Sequence, residues 1–193
     1  MALILASASA IRRSMLEQAG IDFIMQPTNI DEAAEKRNHS DPAKLASALA
    51  EAKALYVSRG CPQDWVIGSD SVVAVEGSRF DKPGDRDRAA DHLRFFSGKE
   101  MVLTSAVALA RNGAAEWLHC DSACLKVRRL SETFIEHYLE AEWPEVGCCV
   151  GVFRLEGRGI QLFDSIEGSY FTILGMPLLP LLNQLRARGL VEL

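Results

Sequence analysis

The 193-residue chain is short of several things, and each absence narrows what it can be. No apolar run reaches the ~18 residues that a bilayer-spanning helix needs. Cationic side chains are in the minority: Lys and Arg number 21 against 26 Asp and Glu, a net charge of −5. An acidic chain is poorly suited to wrapping nucleic acid by bulk electrostatics, though a local basic pocket for a small phosphate ligand stays open. There are 5 cysteines, an odd count with no C-x-x-C pair, which argues against a disulfide framework and against a zinc site. Cys61, Cys120, Cys124, Cys148 and Cys149 read instead as small buried apolar residues in a reducing cytoplasm. Internal repeats, low-complexity tracts and long Pro/Gly/Ser linkers are missing. A Walker-type G-x-x-x-x-G-K-[ST] and a strand-linked G-x-G-x-x-G are also missing, so kinase-like ATP binding and Rossmann dinucleotide binding lack support. No H-E-x-x-H and no G-x-S-x-G elbow occurs. His39, His92, His119 and His137 fall in no metal-ligand spacing and read as structural or surface residues.

What is present is a globular composition, 48% hydrophobic and 24% charged, long enough to bury a core without a structural metal. One domain over residues 1–193, or one core with two lobes, is expected. Short apolar runs alternate with amphipathic stretches, the mark of an α/β class. Leu3 to Ala6 reads as a buried strand, followed by a Ser7-Ala8-Ser9 turn in which Ser9 caps a helix from about Ala10 to Ala19. The apolar start is not read as a signal peptide, because the positive charges, Arg12 and Arg13, follow it rather than precede it. Phe23 to Gln26 is strand-like. Asp41-Pro42 opens a helix to about Ser58, with Leu45, Leu49, Ala52 and Tyr56 on its apolar face. Lys53 shares that face, so it must snorkel, pair or meet a ligand. Trp65 to Ile67 and Val72 to Val75 read as strands with a turn over Gly68-Ser69-Asp70-Ser71. Arg86 to Phe96 and Ser131 to Ala141 read as helices. Val102 to Arg111 and His119 to Arg128 read as antiparallel strands joined at Asn112-Gly113. Gly159 to Phe163 is strand-like, and Pro177 opens a last helix to about Gly189.

Five groups of residues carry chemical potential. Ser7, Ser9, Arg12 and Arg13 stand where a strand enters a helix N-terminus. Free amides, the positive dipole end, hydroxyls and guanidiniums there suit an anion. The alternative is a solvated helix start with surface arginines. Asp70, flanked by apolar strands, is costly to bury unless paired or bound to a metal, and otherwise forms a turn. Asp31-Glu32 offers hard oxygen ligands for a cation, or else a solvated acidic helix start. Lys82 is held extended before Pro83 and can aim an ammonium at a phosphate, or lie in an exposed turn. Phe153 to Gly157 and Ile166 to Tyr170 read as irregular, shaped segments or as solvated loops.

In their order and spacing these pieces resemble the Maf family, the septum-formation-inhibitor-like nucleotide pyrophosphatases, over nearly the whole chain, Leu3 to about Leu185. The family's L-I-L-A-S-x-S followed by R-R is here LILASASAIRR. Its D-E is Asp31-Glu32, its helix lysine is Lys53, its G-[AS]-D-[TSQ]-V is Gly68 to Val72, and its K-P is Lys82-Pro83. The late E-G-x-G-I, G-S-Y and G-x-P-L elements match Glu156 to Ile160, Gly168 to Tyr170 and Gly175 to Leu178. The resemblance implies a mixed, elongated sheet with flanking helices, two lobes around a central cleft, and a cytoplasmic homodimer. It implies hydrolysis of a nucleoside triphosphate to the monophosphate and pyrophosphate with Mg²⁺ or Mn²⁺. Asp70 would be the proton acceptor or a metal ligand, Glu32 a second metal ligand. Ser7, Ser9, Arg12, Arg13, Lys53 and Lys82 would bind phosphates. Neither nucleic acid nor membrane is an implied partner.

The chain also departs from the family. Ala10 replaces a usual proline. Ile11 stands where one branch has Arg and the 7-methyl-GTP branch has Trp, and an apolar residue can neither hydrogen-bond nor stack on a base as they do. Ser71 is nearer the Thr of the first branch than the Gln of the second. Glu156 takes the place of the first branch's Gln, and Glu145 to Val150 replaces D-K-A-G-A-Y. The specificity residues are thus mixed, and Glu156, able to accept from a guanine-like N–H edge, tilts the expectation toward a purine or modified base. Two other functions stay in play: a 7-methyl-GTP-type pyrophosphatase, and a nucleotide-binding regulator of cell division with little turnover.

Overall fold

A computed structural model describes residues 1–191. Its elements run β1 (Leu3–Leu5), α1 (Ala10–Gln18), β2 (Ile24–Met25), α2 (Glu32–Asn38), α3 (Pro42–Ser58), β3 (Trp65–Val75), β4 (Ser78–Phe80) and α4 (Arg86–Phe96). They continue with β5 (Glu100–Arg111), β6 (Ala114–Val127), α5 (Glu132–Glu142), β7 (Phe163–Glu167), α6 (Tyr170–Leu174) and α7 (Leu178–Ala187). Short 3-10 turns cover Glu145–Cys148 and Arg158–Leu162. The strands form one seven-stranded sheet in the order β2-β1-β3-β5-β6-β7, with β4 on β3 off that path. β1 is parallel to β2 and β3, whereas β3–β4 and β6–β7 are antiparallel, so the sheet is mixed as expected. Among the described residues no helix is long and apolar enough to cross a membrane.

The chain divides into two compact units: Met1–Ser71 with Thr104–Asp121 and Ser169–Leu193, and Val72–Leu103 with Ser122–Gly168. The first unit is built on β1, whose residues are all buried and pair Leu3 to Trp65, Ile4 to Val66 and Leu5 to Ile67 on β3. Met15 and Leu16 of α1 and Leu181 and Leu185 of α7 pack into the same apolar cluster. Each leucine buried this fully contributes about 1.5–3 kcal/mol. Caps set where the helices begin. The Ser9 hydroxyl accepts the Arg12 amide, and the Asp41 carboxylate accepts the Lys44 amide at 2.8 Å with proline at the first helical position. In the second unit, α4 and α5 are joined at the surface by Arg94, whose guanidinium donates to both oxygens of Glu132.

Four expectations need correction. The turn expected over Gly68 to Ser71 is absent, because β3 runs unbroken through it. The polar residues stay in the strand because their side chains find partners, as described below. The inward face of α3 is Leu45, Ala46, Leu49, Ala50, Ala54 and Val57, whereas Tyr56 is 52% exposed. Alanines rather than the aromatic face inward because the strand beneath lies too close for a ring. The expected strand over Gly159 to Phe163 is a 3-10 turn, and β7 begins only at Phe163. Gly159 is pressed against Arg154, where a Cβ would sit 2.7 Å from the Arg154 amide nitrogen, so this stretch folds back on itself. The cysteines are not buried filler: Cys148 is exposed and the other four are half-buried, all as free thiols. The Asn112-Gly113 turn does occur, with φ values of 50° and 72° as a type I′ hairpin turn requires.

Candidate active site

Close contact between β3 and α3 organises the site. A Cβ on Gly68 would collide with the Ala50 carbonyl and lie 2.6 Å from the Ala54 amide nitrogen, so only glycine lets the strand approach the helix backbone. Side chains alternate along a strand, so Asp70 faces the same helix two residues on. There it meets Lys53, whose ammonium donates to Asp70 Oδ1 at 2.5 Å. Lys53 also reaches Glu32 Oε1 at 2.7 Å. The Lys53 and Asp70 side chains are only 12% and 13% exposed, so this pair is screened far less than a surface ion pair. Glu32 is more open at 40%, standing at the start of α2. Its neighbour Asp31 points elsewhere and caps that helix by accepting the Ala33 amide at 3.0 Å.

The opposite face of β3 carries Ser69 and Ser71. Both hydroxyls lie within reach of the Gly175 carbonyl, at 3.0 and 3.2 Å. Gly175 closes α6 with a φ of 108°, a left-handed turn that favours glycine. The same carbonyl accepts Arg12 Nε at 2.9 Å. The Arg12 terminal nitrogens donate to Ser71 Oγ at 3.1 Å and Ser7 Oγ at 3.4 Å. Ser7 also accepts the Ser9 amide at 3.1 Å. Desolvation draws the Arg12 pKa down from its usual value, and the charges of Asp70 and Glu32 draw it back up. With so high a starting pKa the guanidinium remains charged.

One constellation therefore gathers a helix N-terminus, three serines, a guanidinium, an ammonium and two carboxylates. The pieces come from residues 7–12, 32, 53, 70–71 and 175, all in the first unit. A family model described as Maf-like protein matches residues 2–188. The chain belongs to the Maf family. A nucleoside triphosphate pyrophosphatase of Granulibacter bethesdensis is 50% identical to it over 190 residues, 96% of each chain. A 7-methyl-GTP pyrophosphatase of Rhizobium meliloti is 45% identical over 194 residues, 98% of each chain. Among solved structures, a HAM1 protein from Coxiella burnetii superposes with a TM-score of 0.45 at 12% identity, covering 66% of this chain and 73% of that one. A likeness that low bears no weight.

Not every residue expected at the Maf site joins the constellation. Arg13 lies on the exposed side of α1 and pairs with Glu17 at 2.7 Å. Ile11 is half-buried in the first helical turn. Lys82 and Glu156 belong to the second unit, where both are exposed. Beside Glu156, Arg154 donates to Glu142 at 3.0 Å, and Glu142 is buried. Cys149 nearby is pushed up to about 11, first by burial and then by the Glu156 charge, so it is a neutral thiol at pH 7. Sequence reasoning missed Ser69, Ser105, Thr172 and Asp121. Two hydroxyls inside the apolar run Val102 to Arg111, Thr104 and Ser105, were the available signal for that part of β5.

Proposed function

We propose that this Maf-family chain is a nucleoside triphosphate pyrophosphatase that cuts the bond between the α and β phosphates. One observation carries the reading: a nearly buried ammonium seated between two carboxylates, in the same unit as a guanidinium-lined helix N-terminus. Such a place offers cations to a polyphosphate and a carboxylate to a water molecule at once. The names of the two relatives support the same reaction.

The start of α1, Ser7, Ser9 and Arg12 bind phosphate oxygens, because first-turn amides and a planar guanidinium both present donors to an anion. Asp70 takes a proton from the attacking water. The water oxygen forms a bond to the α-phosphorus as the bond from that phosphorus to the bridging oxygen breaks. The electron pair leaves with pyrophosphate, and Lys53 neutralises charge developing on the phosphates. Glu32 and Asp70 also fit a Mg²⁺ or Mn²⁺ ion. Their oxygens already converge on one cation, the Lys53 ammonium, and form a hard donor set. Among the described residues no group of three or more His, Cys, Asp or Glu side chains makes a cage. Two carboxylates with substrate phosphates and water as the other ligands are a common Mg²⁺ arrangement. When bound, the ion supplies charge neutralisation on the phosphates.

A purine or modified base is the favoured substrate class, on the sequence departure at Glu156 alone. The reading places the enzyme in the cytoplasm as a homodimer. The test incubates the protein with Mg²⁺ and a panel of common and modified nucleoside triphosphates, 7-methyl-GTP included, beside Asp70→Asn. Pyrophosphate and orthophosphate are both measured. Pyrophosphate lost in the variant supports the reading, and the best substrate assigns the base. Orthophosphate as first product overturns it, and nucleotide binding without any release points to a regulator.

A further inference from the structure

Behind the site lies a set of buried hydroxyls that none of the roles above uses. Ser105 of β5 is fully buried, with its Oγ 2.8 Å from the Thr172 carbonyl and 2.8 Å from Ser71 Oγ. Proton counting fixes the direction of every link. A carbonyl only accepts, so the single Ser105 proton goes to Thr172. Ser105 must then accept from Ser71, which commits the Ser71 proton in turn. A guanidinium only donates, so Ser71 accepts from Arg12. The Gly175 carbonyl does not compete for the Ser71 proton, because Arg12 Nε and Ser69 already approach it more closely, at 2.9 and 3.0 Å against 3.2 Å. The result is one directed chain, Arg12 to Ser71 to Ser105 to the Thr172 carbonyl. Its far end is anchored as well, since Thr172 Oγ1 donates to Asp121 at 2.6 Å.

We propose that Ser105 is a positioning residue that aims Arg12 at the substrate's phosphates by fixing the proton of Ser71. The proposal rests on the reading of Arg12 as a phosphate ligand. With Ser105 as alanine, the Ser71 proton loses its partner and turns toward a carbonyl that is already taken. Arg12 Nη2 then faces a hydroxyl without a set orientation, and the guanidinium samples more than one pose. Arg12 would contact the phosphates before and during reaction, so the loss falls on binding and not on the chemical step.

The experiment is a double-mutant cycle on the full chain with Ser105→Ala and Arg12→Met, reading steady-state pyrophosphate release. The expected result for Ser105→Ala is a KM raised about five- to tenfold, with kcat within about twofold, the scale of one lost hydrogen bond. In the Arg12→Met background the same change does nothing further, because the residue it acts through is gone. Ser71→Ala, which cuts the same chain one link earlier, gives a similar KM increase that does not compound with Ser105→Ala. Ser105→Thr, which restores a hydroxyl, recovers part of the loss. Losses that multiply in the double variants, or a Ser105→Ala enzyme with unchanged KM, overturn the proposal. Calorimetric binding of inorganic tripolyphosphate to the same proteins reads the coupling without turnover. A wild-type chain that releases no pyrophosphate would therefore sink the activity reading while the Ser105–Arg12 coupling is still measured.

Discussion

The two units of the chain handle buried charge in opposite ways. In the first, Lys53 holds two carboxylates that come from separate elements, α2 and β3. Nothing about packing requires a nearly buried ammonium and carboxylate there, and desolvating Lys53 and Asp70 is costly. In the second unit the buried carboxylate of Glu142 pairs with Arg154, whose side chain is 37% exposed, one residue from α5 and one from the loop beyond it. That pair ties down a local turn in which Gly157 and Gly159 approach the Arg154 backbone. Charge assembled from distant parts of the sequence is an arrangement for a ligand, whereas charge that closes a nearby turn is an arrangement for a shape. The same contrast separates the cations. Arg12 has three partners within its own unit, and Lys82 of the second stands exposed.

Substitutions can break or sharpen that contrast. The largest effect is expected at Asp70: Asp70→Asn should lower kcat by about 10²–10⁴-fold, the usual worth of a general base, while nucleotide binding by calorimetry persists. A fold lost along with activity would instead make Asp70 a structural charge like Glu142. Next comes Lys53→Met, which removes the ammonium and leaves Glu32 and Asp70 facing each other. Turnover should fall, and Mn²⁺ binding to the nucleotide-free chain, followed by electron paramagnetic resonance, should tighten as the competing cation is removed. Gly68→Ala forces β3 from α3 and should cost about 1–3 kcal/mol, read by thermal melting. Its activity should fall well below what the remaining folded fraction explains. Glu142→Gln should show the reverse pattern. It should destabilise the chain by about 1–3 kcal/mol, the cost of spoiling a charge-assisted hydrogen bond, with kcat near wild type wherever the variant is folded. Arg13→Ala closes the series with less than about 0.5 kcal/mol in melting and kcat/KM within twofold, because its pair with Glu17 is solvent-exposed.

The sequence made some of this legible and hid the rest for physical reasons. Helix starts at Ser9, Asp41 and Ser131 could be read because a cap is a local hydrogen bond between residues three apart. The Asn112-Gly113 hairpin could be read because its backbone angles need those residue types. Asp70 was misplaced on a turn because Gly68, Ser69 and Ser71 are turn formers by local preference. A strand through them is stable only when a helix backbone covers Gly68, a carbonyl from residue 175 receives the Ser69 hydroxyl and Ser105 receives that of Ser71, and no local window contains any of these. Lys53 was singled out by periodicity as a lysine on an inward face. Its two partners, 21 residues before it and 17 after it, are a product of the fold alone. Arg12 and Arg13 looked equivalent side by side, and helical rotation separates neighbours by about 100°. One therefore turns toward Gly175 and the other toward solvent.

The account stands on attack at the α-phosphorus by a water that Asp70 deprotonates. Hydrolysis in ¹⁸O-labelled water, followed by mass spectrometry of both products, tests that step most directly. The prediction is label in the nucleoside monophosphate, none in pyrophosphate, and neither product formed at a comparable rate by Asp70→Asn. Label in pyrophosphate, or labelled monophosphate formed at the wild-type rate by the variant, would contradict it.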